Sequence, residues 1–226
     1  GIKKSIGHPS LIPRTVILDP ELTRNLPSRL TLLVGLDALS HAMESHVSPN
    51  ASPFTEAYSA RAVELIREYL PRCVRDGGDM AAREALLVAS NLAGLALNAG
   101  VGAAHVLAQP LSAASGLSHS LAIALLLPAV VEANHLHSPA KYARIAALLG
   151  ENVHGLDEKA AAARSVDGLR NLYRVLGFAE TLKTHGVEAQ LFPAVMESAA
   201  KSTRHISTNP RPVTDELLLD ILGRSL

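Results

Sequence analysis

The sequence predicts an all-α domain of about eight helices, on three observations. Hydrophobic residues make up 48% of the 226, but aromatics only 3% with no tryptophan, so the core must be built from Leu, Ala, Val and Ile. Such a composition favours packed helices with small contact residues over a sandwich. Apolar residues also recur with a 3.6-residue period through a series of segments bounded by Pro and Gly. Only one stretch, Arg14-Thr-Val-Ile-Leu-Asp19, has the β-branched character of a short strand. A lone strand needs a partner, so it lies on a surface edge or belongs to a sheet built from sequence upstream of Gly1.

From Pro27, suited to a first helical turn, Leu30, Leu33, Val34 and Leu36 lead a helix into Gly35-Leu-Asp-Ala-Leu-Ser-His-Ala-Met-Glu44. Ser48 to Pro53 is a loop. Thr55 to Leu70 is an amphipathic helix expected to stop before Pro71. Ala81 to Asn98 is small and apolar on nearly every face and reads as a central helix. Leu121 to Asn134, Ser138 to Leu149, Ala160 to Leu176 and Val187 to Ser198 follow, and Glu216 to Arg224 closes the chain with Thr214 or Asp215 as its N-cap. The apolar run from Leu121 to Val131 is about half of the roughly 20 residues a bilayer span needs, and so reads as a buried helix.

Lys plus Arg and Asp plus Glu both count 21, so nothing favours a nucleic acid or an anionic membrane surface as partner. The single cysteine, Cys73, excludes an internal disulfide framework and a cysteine-based zinc site, which suits the cytoplasm. No secretory signal pattern is visible at the N-terminus. The chain opens on Gly1, which reads as a start part-way into a longer protein or as a trimmed terminus.

The candidate chemistry lies in four residues. Asp37 and His41, four apart, share one helix face. His105 and His119 are 14 residues apart, which on an unbroken helix would separate them by about 21 Å. Pro110 and the run Ser112 to Gly116 lie between them and turn the chain back, bringing both imidazoles to one point. Both histidines sit in small, apolar surroundings where an unpartnered imidazole is costly to bury. Three neutral imidazoles and one carboxylate suit Fe²⁺ or Zn²⁺ rather than Mg²⁺ or Ca²⁺, and an ion so held acts as a Lewis acid on a substrate oxygen. Glu44, three residues past His41, is either an acceptor orienting an imidazole or a solvated helix residue.

The remaining histidines read as bystanders. His46 lies off the Asp37/His41 face, at a helix end or in a loop, and His135 and His137 complement a helix C-terminus. His8, His154, His185 and His205 read as surface residues. Cys73 reads as a plain, partly buried thiol, although Arg72 and Arg75 nearby could lower its pKa.

The pattern V-I-L-D-P-E-L-T-R-N-L-P, then G-L-D-A-L-S-H-A-M-E-S, then A-A-H-V-L-A-Q-P-L-S with S-H-S-L-A-I-A-L-L-L-P, resembles the iron-containing (group III) alcohol dehydrogenases. The late N-P-R-P-V-T segment looks like that family's C-terminal loop. The resemblance implies a dehydroquinate-synthase-like C-terminal domain spanning 27–226, with 1–26 as the remnant of, or linker from, an α/β nucleotide-binding domain that this chain lacks. It implies Asp37, His41, His105 and His119 as metal ligands and NAD(P) as cofactor of the intact enzyme, acting on a small alcohol or aldehyde, and it allows a homodimer. Three positions depart from the family pattern: Gln109 stands where many members carry a proton-relay histidine, Ser120 where glycine is usual, and Val34 where a small polar residue is commoner. Glutamine hydrogen-bonds but accepts no proton at neutral pH. The competing readings are a non-catalytic helical metal-binding or oligomerising module, a metal-dependent hydrolase, and a maleylacetate-reductase-like enzyme of the same family.

Overall fold

The computed structural model describes residues 8, 11–201 and 203–226, the side chains of 203 and 204 apart. The start of the expected 1–26 linker, residues 1–7 and 9–10, lies outside that range. Among the described residues there are nine helices of eight or more residues, one short helix and no strand. They are α1 (Ser28–Val47), α2 (Pro53–Arg75), α3 (Met80–Ala96), α4 (Ala103–Ser115), α5 (His119–Asn134), α6 (Pro139–Leu148), α7 (Glu158–Val175), α8 (Phe192–Ala199), α9 (Thr203–Ile206) and α10 (Asp215–Arg224).

The expected strand over 14–19 does not form. A strand is stabilised by hydrogen bonds to a neighbouring strand, and among the described residues this segment has no such neighbour: Val16 and Ile17 are exposed, and the chain turns instead into a 3-10 turn at Pro20–Thr23 capped by Asp19. The helical expectation for Val187 to Ser198 is only partly met, because 189–191 forms a 3-10 turn before α8.

The core is centred on α5. Its residues 121–127 and 129–131 are all buried, and it packs against α1, α4, α7 and α10. The α3 helix is not central: it packs against α1 and α2 along a face carrying Ala82, Ala89, Ala93 and Ala96, and leaves Val88 and Leu95 exposed. Its solvent side carries Glu84 and Ser90 among small apolar residues, too few to mark that asymmetry in the sequence. Stretches 80–99 and 119–137 are long and apolar enough to cross a bilayer by composition, but 61% of the second window is buried inside the fold, as for a core helix. Buried Arg83 of α3 donates to Thr31 Oγ1 (2.8 Å), the Leu26 carbonyl (3.0 Å) and the Gly77 carbonyl (3.0 Å), so it clamps the start of α1 to the loop before α3.

Prolines lie inside three helices. The α2 helix runs through Pro71 to Arg75, and α4 runs through Pro110 to Ser115. The turn between α4 and α5 is therefore made at Gly116, at φ +78° in the left-handed region that suits glycine. Pro128 in α5 removes the N–H that would bond the carbonyl four residues back, Ala124. The buried Tyr173 hydroxyl of α7 donates to that carbonyl at 2.8 Å. The same burial raises the Tyr173 pKa and keeps the phenol protonated. Replacing Tyr173 with Phe should strand the Ala124 carbonyl and lower stability by about 1–3 kcal/mol, measured by urea denaturation.

His46 ends α1 as expected of its position, but it is buried. Its Nδ1 meets Ser59 Oγ at 2.8 Å, and Ser59 donates onward to the Glu56 carbonyl. Burial, aided by Lys141 and Arg144, depresses its pKa to about 4. An unfolded histidine titrates near 6.5, so between those values the unfolded chain binds a proton that the folded chain refuses. Stability is then greatest above about pH 6.5 and falls as pH drops toward 4, by ~3 kcal/mol from this residue. The His46→Gln variant should show a correspondingly flatter fall in unfolding free energy across that window, measured on metal-free protein.

Candidate metal centre

Three helices supply the four predicted residues. Asp37 and His41 project from one face of α1, His105 sits in the first turn of α4, and His119 opens α5 behind its N-cap Ser118, whose hydroxyl accepts from the Leu121 N–H. The reversal at Gly116 brings α4 and α5 side by side.

A single oxygen, Asp37 Oδ1, stands 3.9 Å from His41 Nε2, 3.9 Å from His105 Nε2 and 3.8 Å from His119 Nε2. These distances are too long for hydrogen bonds. Atoms sharing one ion at about 2.0–2.2 Å stand about 3.4 Å apart at tetrahedral angles, so the cluster is about half an ångström wider than a closed shell. The ligand atoms of Asp37, His41 and His105 all lie within 4.8 Å of one another. The His41 and His105 rings stack at 4.7 Å, and the His105 and His119 centroids are 5.4 Å apart. The donor set fits a divalent ion on the electrostatics too. Burial and the neighbouring His105 depress the His41 pKa to about 4, so its imidazole is neutral at pH 7 and offers a lone pair. His105 Nε2 is buried with no hydrogen-bond partner among the described residues, a costly arrangement that a cation would relieve.

Glu44 takes the orienting position. Its Oε2 lies 2.6 Å from His105 Nδ1, and its Oε1 accepts from the Ala104 N–H at 2.8 Å. Burial opposes its ionisation, but the bonds from His105 and from the start of α4 outweigh that and hold the carboxyl below its ordinary pKa. The ionised Glu44 accepts a hydrogen bond from Nδ1–H, which leaves Nε2 free to ligate. Asn209 supports the same helix start: its Oδ1 accepts from the Ala103 N–H (3.2 Å) and from Asn134 Nδ2 (2.9 Å). A Cβ on Gly102 would stand 2.6 Å from Asn209 Oδ1 and 3.2 Å from Glu44 Oε1. Glycine lets both side chains reach α4. Gly94, in contrast, has open space around it.

The other candidates separate clearly. Gln109, one turn beyond His105 on α4, is half-buried. His135 accompanies the end of α5, with Nδ1 2.8 Å from the Glu132 carbonyl. His185 is held by Glu180 at 2.6 Å, and His8 and His154 are exposed. Cys73 is fully buried, and burial raises its pKa despite Arg83 and Arg72. Two expectations are overturned: His185, read as a surface residue, is half-buried, and so is His205, with its ring centroid 6.3 Å from that of His105. No local pattern marks His205, because α9 is carried to the site by the Thr208 and Asn209 anchors that follow it.

A family described as the Fe-containing alcohol dehydrogenase family, C-terminal, matches residues 31–226. The chain belongs to the iron-containing alcohol dehydrogenase family. Its relatives in this family include the NAD-dependent methanol dehydrogenase of Bacillus methanolicus, 34% identical over the whole chain and 59% of that protein. The 1,3-propanediol dehydrogenase of Klebsiella pneumoniae is 38% identical over 95% of this chain and 55% of its own length. A crystal structure of a 1,3-propanediol oxidoreductase superposes with a TM-score of 0.88 at 35% identity, over 92% of this chain and 55% of that one. The chain thus spans rather more than half the length of these iron-containing dehydrogenases.

Replacing Glu44 with Gln should lower metal affinity about 10–100-fold, measured by competition with a chelator. A glutamine offers one acceptor where Ala104 and His105 each present a hydrogen, so the imidazole loses its orienting bond.

Proposed function

We propose that this chain is the metal-binding half of an NAD(P)-linked alcohol dehydrogenase, with Asp37, His41, His105 and His119 holding one divalent ion, Fe²⁺ or Zn²⁺. The observation that carries the reading is the single Asp37 oxygen 3.8–3.9 Å from three imidazole Nε2 atoms. The family description, iron-containing, supports the metal. When bound, such an ion supplies Lewis acidity toward an alcohol or carbonyl oxygen. The assigned reaction interconverts a small alcohol and its aldehyde or ketone. In the intact enzyme the redox partner, NAD(P), is held by an α/β domain joined to the helical domain of residues 27–226 through 1–26.

This chain's own residues then have defined parts. Asp37 brings the negative charge that three neutral imidazoles lack. Glu44 keeps the proton on His105 Nδ1 and fixes the ring. Gln109 can position a substrate or nucleotide oxygen by hydrogen bonding but moves no proton. The single buried thiol, Cys73, is in keeping with a reducing cytoplasm.

His105→Ala and His119→Ala should each reduce bound metal from about one ion per chain to a small fraction of that, by elemental analysis of purified protein. Unchanged metal content in both would overturn the assignment. In the intact enzyme both variants should lose alcohol-dependent NAD(P) reduction.

A further inference from the structure

The helix that carries His105 has no cap of its own. At α2, α3, α5, α7 and α10 the side chain just before the first turn accepts from the backbone: Ser52, Asp79, Ser118, Asp157 and Thr214. The residue in that place before α4 is Gly102, which has no side chain to offer. Yet α4 begins in the interior: Ala103, Ala104 and His105 are all buried, where an unpaired backbone N–H is costly. The His105 N–H turns back to the Gly102 carbonyl at 3.1 Å. The other two are met from far along the chain. Glu44, 60 positions away, accepts from the Ala104 N–H, and Asn209, 106 positions away, accepts from the Ala103 N–H.

Asn209 is itself buried and held on every side. A carboxamide has two lone pairs and two N–H hydrogens, and here all of them find partners. Oδ1 accepts from Ala103 and from Asn134 Nδ2, while Nδ2 donates to Asn134 Oδ1 at 3.2 Å and to the Arg211 carbonyl at 2.7 Å. Asn134 is the buried last residue of α5. The neighbours of Asn209 fasten the same loop: Thr208 Oγ1 donates to the Val101 carbonyl, and the Arg211 guanidinium donates to the Ala133 carbonyl. A buried polar network with every member satisfied is rigid and holds one arrangement.

A cap supplied by the residue before a helix stabilises that helix alone. A cap supplied from elsewhere also fixes where the helix sits. Glu44 ties the start of α4 to α1, which carries Asp37 and His41, and Asn209 ties it to α5, which carries His119. The three imidazole Nε2 atoms stand 3.8–3.9 Å from one Asp37 oxygen, so a small shift of α4 would take His105 out of that set. We propose that Asn209 is a positioning residue for the metal centre: it hydrogen-bonds no ligand side chain, but through the start of α4 it places His105 and so sets how tightly the ion is held. This rests on the metal-binding reading above and deepens it.

The test measures Zn²⁺ affinity by competition with a chelator, and the visible absorption bands of the Co²⁺-loaded protein. Asn209→Ala should bind Zn²⁺ about tenfold more weakly than wild type, the lower end of the range for groups that orient a ligand from behind, and should shift the Co²⁺ bands. Tyr173→Phe is the control for simple loss of stability, since it should lower the thermal midpoint and leave both readouts as in wild type. If Asn209→Ala does not fold, Asn134→Ala carries the test. That variant removes two of the carboxamide's hydrogen bonds but keeps the one from Ala103, and should weaken Zn²⁺ binding to a smaller degree. Wild-type affinity and Co²⁺ bands in the variant that folds, whatever its thermal midpoint, overturn the positioning role. Failure of wild type itself to bind Zn²⁺ or Co²⁺ overturns the metal-centre reading beneath it.

Discussion

The structure depends on one buried carboxylate. Glu44 reaches from the last turns of α1 to the first turn of α4, where the backbone N–H of Ala104 and the imidazole of His105 both point at it. Free N–H groups at a helix start, with the positive end of the helix dipole, favour an anion there. A carboxylate in that place satisfies an otherwise unpaired donor with one oxygen and orients an imidazole of the candidate centre with the other. It also locks two helices of opposite roles together, α1 carrying Asp37 and His41, and α4 carrying His105. Gly102 has no side chain because two others, those of Glu44 and Asn209, occupy the space around it.

The same economy governs the helix interiors. Pro71, Pro110 and Pro128 all sit inside helices, against their usual role as terminators. In α5 the Tyr173 hydroxyl takes over the carbonyl that Pro128 leaves without its helical donor. A buried helix with a continuous apolar surface gains more from packing than it loses at one missing backbone bond. The chain reversal between the two later ligands accordingly falls to Gly116, whose left-handed backbone turns α4 into α5.

Much of the candidate centre was legible in the residue pattern. Asp37 and His41 are tied by helical geometry alone, and the turn signals between His105 and His119 made a shared site possible at a spacing that a straight helix forbids. The resemblance then joined the two pairs. Glu44 lay on the same face as Asp37, but whether it met an imidazole or water depended on where α4 packs, which no local spacing reveals. His46 was read correctly as a helix-end residue, but its burial against Ser59 follows from the docking of α2. His205 was invisible for the same reason: it is placed by the bonds that Thr208 and Asn209 make to residues more than 70 positions away.

By itself, the sequence determined the helical class, the approximate helices and two pairs of candidate ligand residues, because helical periodicity and turn chemistry are local and act within a few residues. Only the tertiary structure decided that α3 lies at the periphery, that 14–19 forms no strand among the described residues, that Glu44 faces His105 and that His205 borders the cluster. Each of those outcomes depends on which surface meets which, and burial is a property of contacts between segments far apart in the chain.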